Sequence, residues 1–288
     1  MNYKMMGRLI AQILLAEAAF MVPALIISLA GQDSQAILGF ALSILVILAV
    51  AGVLMFFARK AKKGFYAREG MVCVGLAWIV MSLLGCLPFW ISREIPSYLD
   101  GLFEIVSGFT TTGASILSNV EGLSNGMLYW RSFSHWVGGM GVLVFLLAVV
   151  PVSGRNDGFT MHLLRAESPG PNVAKLVPRI RSTAGILYIL YIVLTVVDFL
   201  LLIVGKMPVL EAVCTAFGTA GTGGFGVKND SMASYSPYIQ NVCTVFMLLF
   251  GVNFSCYYLL IMKQVKSVYK DEELRLYVGT GQCAFDCD

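Results

Sequence analysis

Apolar residues fall along this chain in long blocks, and the length of those blocks predicts its elements. A membrane-crossing helix needs roughly 20 apolar residues. Six stretches qualify: Leu9 to Leu29, Ala36 to Ala58, Met71 to Ile91, Phe133 to Val152, Ala184 to Val204 and Val242 to Met262. Only Glu17 and Asp198 put a carboxylate inside any of them. Two further apolar stretches are too short to cross: Leu99 to Phe109 has eleven residues and includes Glu104, and Val209 to Phe217 has nine and includes Glu211. Pro96 with Ser97 opens the first and Pro208 the second, because proline is tolerated in a first turn whose N–H has no partner to lose. Each short stretch predicts a half-helix that enters the membrane and stops inside it.

Both half-helices run into a Thr/Gly loop, FTTTGAS (Phe109 to Ser115) and AGTGGFG (Ala220 to Gly226). Matching Thr112-Gly113 to Thr222-Gly223 gives an offset of 110 residues, which also superposes Gly75 on Gly185 and Gly141 on Gly251. The chain therefore reads as a tandem repeat of long helix, short helix, loop and long helix. Composition agrees with the blocks: 58% of residues are hydrophobic and 13% charged, against about 25% charged in a soluble domain. The expected fold class is an all-α polytopic membrane protein with six transmembrane helices and two re-entrant pore helix–loop elements. The first block is too long for a signal-peptide core and runs into a second without a convincing cleavage site, so it reads as retained.

Charge orients these elements. All the Lys and Arg residues except Arg93, Arg131, Lys206 and Lys228 lie before span one or after spans two, four and six. By the positive-inside rule the N-terminus and the tail are cytoplasmic, and both Thr/Gly loops enter from outside. The net charge of +3 is thus a topology signal. No basic patch interleaved with aromatics points to nucleic acid.

The loops carry the candidate chemistry. Dehydrating a cation takes several oxygens at close range, and backbone carbonyls supply them when consecutive residues turn their C=O groups to one axis. Gly113 and Gly223 reach left-handed dihedrals cheaply, and Thr112 and Thr222 add hydroxyls. The half-helices also aim the negative ends of their dipoles at whatever lies beyond. GTGGFG (Gly221 to Gly226) matches the dinucleotide fingerprint formally, but no strand precedes it. Glu17 and Asp198 read as helix–helix hydrogen-bonding groups. Glu104 and Glu211 read either as attractors at the outer mouth or as partners for orphan N–H groups. Trp130, His135 and Trp136 read as interfacial anchors at the outer edge of span four, with the second histidine, His162, on the opposite side. Gly138, Gly139 and Gly141 form a small face for close packing near a loop. Cys73, Cys86, Cys214, Cys243 and Cys256 read as small core residues; Cys283 and Cys287 take no role.

The order of elements, with SGFTTTGAS, RSFSHWVGGMGVLVF (Arg131 to Phe145), RAESPGP (Arg165 to Pro171), CTAFGTAGTGGFG (Cys214 to Gly226) and DEELR (Asp271 to Arg275), resembles the Trk/Ktr/HKT superfamily of potassium transporters, closest to the bacterial Trk membrane subunit. The resemblance spans about residues 1 to 277. It implies a potassium filter at Thr111, Thr112, Gly113 and Ala114 in one repeat and Gly221, Thr222, Gly223 and Gly224 in the other, with the ion held chiefly at Thr112, Gly113, Thr222 and Gly223. It also implies moderate selectivity for potassium over sodium, no catalysed reaction and no cofactor, potassium being the substrate. A cytoplasmic nucleotide-binding regulatory subunit would dock over the 153 to 182 loop and the basic tail, and the complete subunit would form a homodimer in the lipid bilayer of a bacterial cytoplasmic membrane. The expected organisation is an N-terminal helix pair (1 to 70), a first repeat with its cytoplasmic loop (71 to 182), a second repeat (183 to 277) and an anomalous tail (278 to 288). The superfamily has four repeats where this sequence has two, so the expectation is an incomplete half of a transporter. The alternatives are an inert fragment, a two-copy cation pore and, far behind, a membrane oxidoreductase with its cofactor at Gly221 to Gly226.

Overall fold

The computed structural model describes residues 2–59, 67–141, 180–262, 264–269 and 271–285. All regular structure among them is helical: α1 (Tyr3–Ala30), α2 (Ser34–Phe57), α3 (Ala67–Gly85), α4 (Leu87–Ile91), α5 (Tyr98–Phe109), α6 (Asn125–Met140), α7 (Ile180–Val204), α8 (Val209–Ala220), α9 (Pro237–Gly251), α10 (Phe254–Ile261), α11 (Val265–Tyr269) and α12 (Glu272–Phe285). Four described stretches are long and apolar enough to cross a membrane: α1, α2, Glu69–Ile91 and Gly185–Val204. Their starts follow local chemistry. Asn2 caps α1 by accepting from the Met5 N–H, and Asp33 caps α2 by accepting from the Ala36 N–H, so each side chain satisfies an orphan donor of a first turn. Burial is modest along these helices, and large apolar side chains such as Leu45, Val53, Phe57 and Val204 face outward, as lipid rather than water would allow.

Two of the predicted spans are broken, and a third carries a one-residue interruption while remaining long enough to cross. The block from Met71 to Ile91 is interrupted at Cys86, where α3 ends and Pro88 helps to open α4. The block beginning at Phe133 belongs to a helix that starts earlier, at Asn125, and stops at Met140, because Gly141 turns to a φ of 73°. Residues 142 to 152 of that predicted span, the 153 to 179 stretch and His162 lie outside the described residues. The block from Val242 to Met262 divides at Val252, with α9 on one side and α10 on the other. A long apolar run states that lipid can surround it, and says nothing about whether its backbone is continuous.

α6 is the element around which the others are arranged. It packs against α1, α5 and α8. Trp130, wholly buried, donates its indole N–H to the Gly85 carbonyl at 2.9 Å, while Tyr129, Phe133 and Trp136 form an aromatic seam against Phe217 of α8. Trp136 also donates to the Thr195 hydroxyl of α7 at 3.1 Å, and Tyr191 of α7 donates to the Trp136 carbonyl at 3.0 Å. Trp130, His135 and Trp136 are thus interior contacts and not interfacial anchors: each points in its own direction from α6 and meets another part of the fold. The five cysteines at 73, 86, 214, 243 and 256 are buried free thiols, as small core residues would be.

Candidate functional site

The two half-helices are built alike. α5 and α8 are both 12 residues long. Ser97 caps the first through the Asp100 N–H, and Pro208 occupies the same position before the second. Past their C-termini the chain makes the same turn twice. The N–H groups of Thr110, Thr111 and Thr112 donate to Val106, Gly108 and Ser107, and those of Gly221, Thr222 and Gly223 donate to Phe217, Thr219 and Gly218. Thr111 and Thr222 sit in the left-handed region at φ 54° and 55°, and Gly113 and Gly224 follow at 74° and 67°. The structural offset is therefore 111 residues, not 110: Thr111 pairs with Thr222, Thr112 with Gly223 and Gly113 with Gly224. The match of Thr-Gly to Thr-Gly aligned letters, whereas the conformation is set by distance from the helix end.

The two loops meet. A Cβ on Gly113 would fall on the Gly223 carbonyl oxygen, and one on Gly223 would fall on the His135 ring and 2.7 Å from the Thr111 oxygen. α6 fits between the loops because its own glycines yield space. A Cβ on Gly138 would strike the Phe109 carbonyl, and one on Gly139 would lie 3.2 Å from the Ala220 oxygen. The small face on span four thus touches both loops. Thr110 donates to the Val106 oxygen at 2.8 Å, so its 2.8 Å contact with Thr112 makes the Thr112 hydroxyl the donor. Ala114, Thr112, Thr222 and Gly224 are exposed, Thr111, Gly113 and Gly223 are half-buried, and Gly221 is buried.

A buried ion pair ties the loops together from behind. Glu104 lies in the middle of α5 and Arg131 on α6; both are almost wholly buried, with Nε to Oε1 at 2.6 Å. Glu104 also accepts from the Ser115 hydroxyl at 2.8 Å and the Ile116 N–H at 3.1 Å, which holds the first loop. Arg131 donates through Nη1 to the Gly226 carbonyl at 2.7 Å and lies over the Phe225 ring at 3.3 Å, which holds the second. Farther out, Asn229 donates to the Asn119 side chain at 3.0 Å and accepts from the Val120 N–H at 2.7 Å. Glu104 is therefore a buried brace and neither a charge at the mouth nor a partner for the first-turn N–H groups. Glu211, in the first turn of α8 and partly exposed, accepts from the Tyr235 hydroxyl at 2.6 Å with Lys228 4.0 Å away. No local pattern could have announced the partnership of Glu104 with Arg131, because it closes across 27 residues. Glu17 and Asp198 are buried, and their carboxyl oxygens make no hydrogen bond among the described residues. Thr219, the hydroxyl beside Asp198, is committed to the Thr215 carbonyl.

Apolar helices of membrane-crossing length, packed around two short helices whose matched Thr/Gly loops meet, define an all-helical membrane protein. Residues 37–278 match the TrkH family, described as cation transport protein, and the chain belongs to that family. Among its relatives is the Trk system potassium uptake protein TrkH of Salmonella typhimurium, 33% identical over 97% of this chain and 58% of that protein. The Trk system potassium uptake protein TrkG of Escherichia coli is 30% identical over 90% of this chain and 53% of its own length. The crystal structure of the potassium transporter TrkH from Vibrio parahaemolyticus superposes with a TM-score of 0.81 at 27% identity, covering 96% of this chain and 56% of that one. The chain thus spans little more than half the length of the relatives it matches.

Proposed function

We propose that this chain takes part in potassium uptake across a bacterial cytoplasmic membrane, its two Thr/Gly loops lining the ion pathway. α5 and α8 act as re-entrant pore helices, within a six-span arrangement whose N-terminus is cytoplasmic and whose loops enter from outside. Residues 1 to 70 form an accessory helix pair, 71 to 182 and 183 to 277 the two pore-loop repeats, and 278 to 288 a tail. The oxygens offered to a dehydrated potassium ion come from Thr111, Thr112, Gly113 and Ala114 and from Gly221, Thr222, Gly223 and Gly224. The shared conformation adds Thr110 as the counterpart of Gly221. Potassium is cargo, and the role is transport without catalysis. Regulation falls to a cytoplasmic nucleotide-binding subunit docked on the inner face, and the complete subunit pairs with a second copy.

The observation that carries this reading is the duplicated backbone conformation: two loops of different sequence adopt the same unusual dihedrals and touch. A β-branched residue at positive φ is a costly choice, and such strain gathers at functional sites. The test is Gly113→Ser and Gly224→Ser in the protein expressed from its complete coding sequence, read as rubidium uptake and its competition by potassium and sodium. Both substitutions penalise the positive φ by about 1–2 kcal/mol. Only the first also drives a Cβ into the opposite loop, the Cβ on Gly224 finding nothing closer than Met247 at 3.8 Å. Gly113→Ser is expected to abolish uptake and Gly224→Ser to weaken potassium-over-sodium discrimination. Unchanged discrimination in both would overturn the assignment of these loops.

A further inference from the structure

We infer that His135 is a positioning residue that fixes where the second Thr/Gly loop stands, and through it the cation selectivity of the pathway; this rests on the filter reading above. His135 lies on α6, wholly buried, with neither ring nitrogen hydrogen-bonded among the described residues. Its ring occupies the space that side chains on the loop would need: a Cβ on Gly223 would fall on Nε2, and one on Gly221 would fall on Cδ2 and lie 2.9 Å from the His135 carbonyl oxygen. Phe225, the residue after the four filter positions, packs on the same ring with centroids 4.9 Å apart, and Arg131, one turn earlier on α6, covers Phe225 as well. The loop is therefore seated on a flat, rigid ring along its length from Gly221 to Phe225.

The contacts continue in series. Gly223 stands against His135 on one side, and its carbonyl oxygen stands where a Gly113 Cβ would be on the other. A shift of the imidazole is thus a shift in the separation of the two loops, because close-packed groups transmit small displacements. Burying two ring nitrogens without partners among the described residues is unfavourable. Mere space-filling would be served at less cost by an apolar side chain. What the imidazole supplies is a compact flat ring whose Nε2 edge lies where a Cβ on Gly223 would be.

The test compares His135→Ala, His135→Gln, Gly223→Ala and the double variant His135→Ala/Gly223→Ala, expressed from the complete coding sequence in a bacterium deficient in potassium uptake. Membrane abundance is measured beside rubidium uptake competed by potassium or sodium. His135→Ala and His135→Gln are expected to accumulate and to lose at least about threefold of the discrimination, since neither restores the flat support. Gly223→Ala is expected to lose uptake by collision with the ring. The double variant removes the collision with the ring but not the 2.7 Å approach to the Thr111 oxygen, so it is expected to recover only a fraction of that loss. Discrimination unchanged in both His135 variants would overturn the inference, as would failure of both to accumulate, which would make His135 a folding residue only. Gly224→Ser separates the two readings: if it alters discrimination while the His135 variants do not, the filter reading stands and this inference falls.

Discussion

At the scale of single residues, the buried pair of Glu104 and Arg131 shows how a polar side chain in the core is held in place by what it positions. The carboxylate satisfies two donors of the first loop and the guanidinium satisfies an acceptor of the second, so each charge is both paired and hydrogen-bonded. Removing one partner strands the other charge, at a cost of about 3–5 kcal/mol, whereas replacing both with apolar groups of similar volume is often near neutral. Arg131→Met or Glu104→Leu alone is therefore expected to abolish accumulation or lower the melting temperature of the detergent-solubilised protein sharply. The double variant should recover most of that loss while leaving the loops without their brace. A double variant as unstable as either single one would show that the pair acts through separate contacts. Glu104 was visible in the sequence as a rare carboxylate in an apolar stretch, yet its depth in α5 and its partner on α6 were not, because ion pairs across helices leave no periodic trace. Thr111 and Thr222 were visible only as candidate ligands. Their positive φ follows from the turn that ends each half-helix, a constraint that residue type conceals.

At the scale of elements, glycine placement separates sites of close approach from sites of mere tolerance. Gly75 and Gly185 aligned as neatly as the loop glycines in the repeat, but a Cβ at either meets nothing within 4 Å. Gly138 is different, its Cβ meeting the Phe109 carbonyl and, at 3.0 Å, the Thr111 methyl. Gly75→Ala should thus stabilise α3 by about 0.5–1 kcal/mol through helix propensity. Gly138→Ala should destabilise by about 1–3 kcal/mol through overpacking, and should disturb the first loop as well. Thermal denaturation of the two variants side by side checks the sign of each; equal shifts would mean that α6 does not wedge against α5 as described. The element boundaries divide along the same physical line. The cap at Ser97 acts through a side chain within three residues and was read from the sequence; those at Asn2 and Asp33 act over the same distance. The breaks at Cys86, Gly141 and Val252 fall inside apolar blocks, and hydropathy carries no mark of them.

At the scale of the whole molecule, hydropathy says that the protein crosses a membrane, and the proposed orientation rests on charge. In that proposal the C-terminal end of α2 and the tail lie on the cytoplasmic side, and the clasp of Asn119 with Asn229 on the other. Two exposed positions test this directly: Arg59, just past α2, and Asp230, beside the clasp. With the native cysteines replaced, Arg59→Cys and Asp230→Cys are introduced singly and treated in intact cells with a membrane-impermeant thiol reagent. Labelling is expected at position 230 alone, with position 59 reacting only after the cells are permeabilised. Labelling of position 59 in intact cells would invert the topology. The half-helix C-termini would then face the opposite compartment, and a pathway read as uptake from outside would lose its entrance at the Thr/Gly loops, whatever their affinity for potassium.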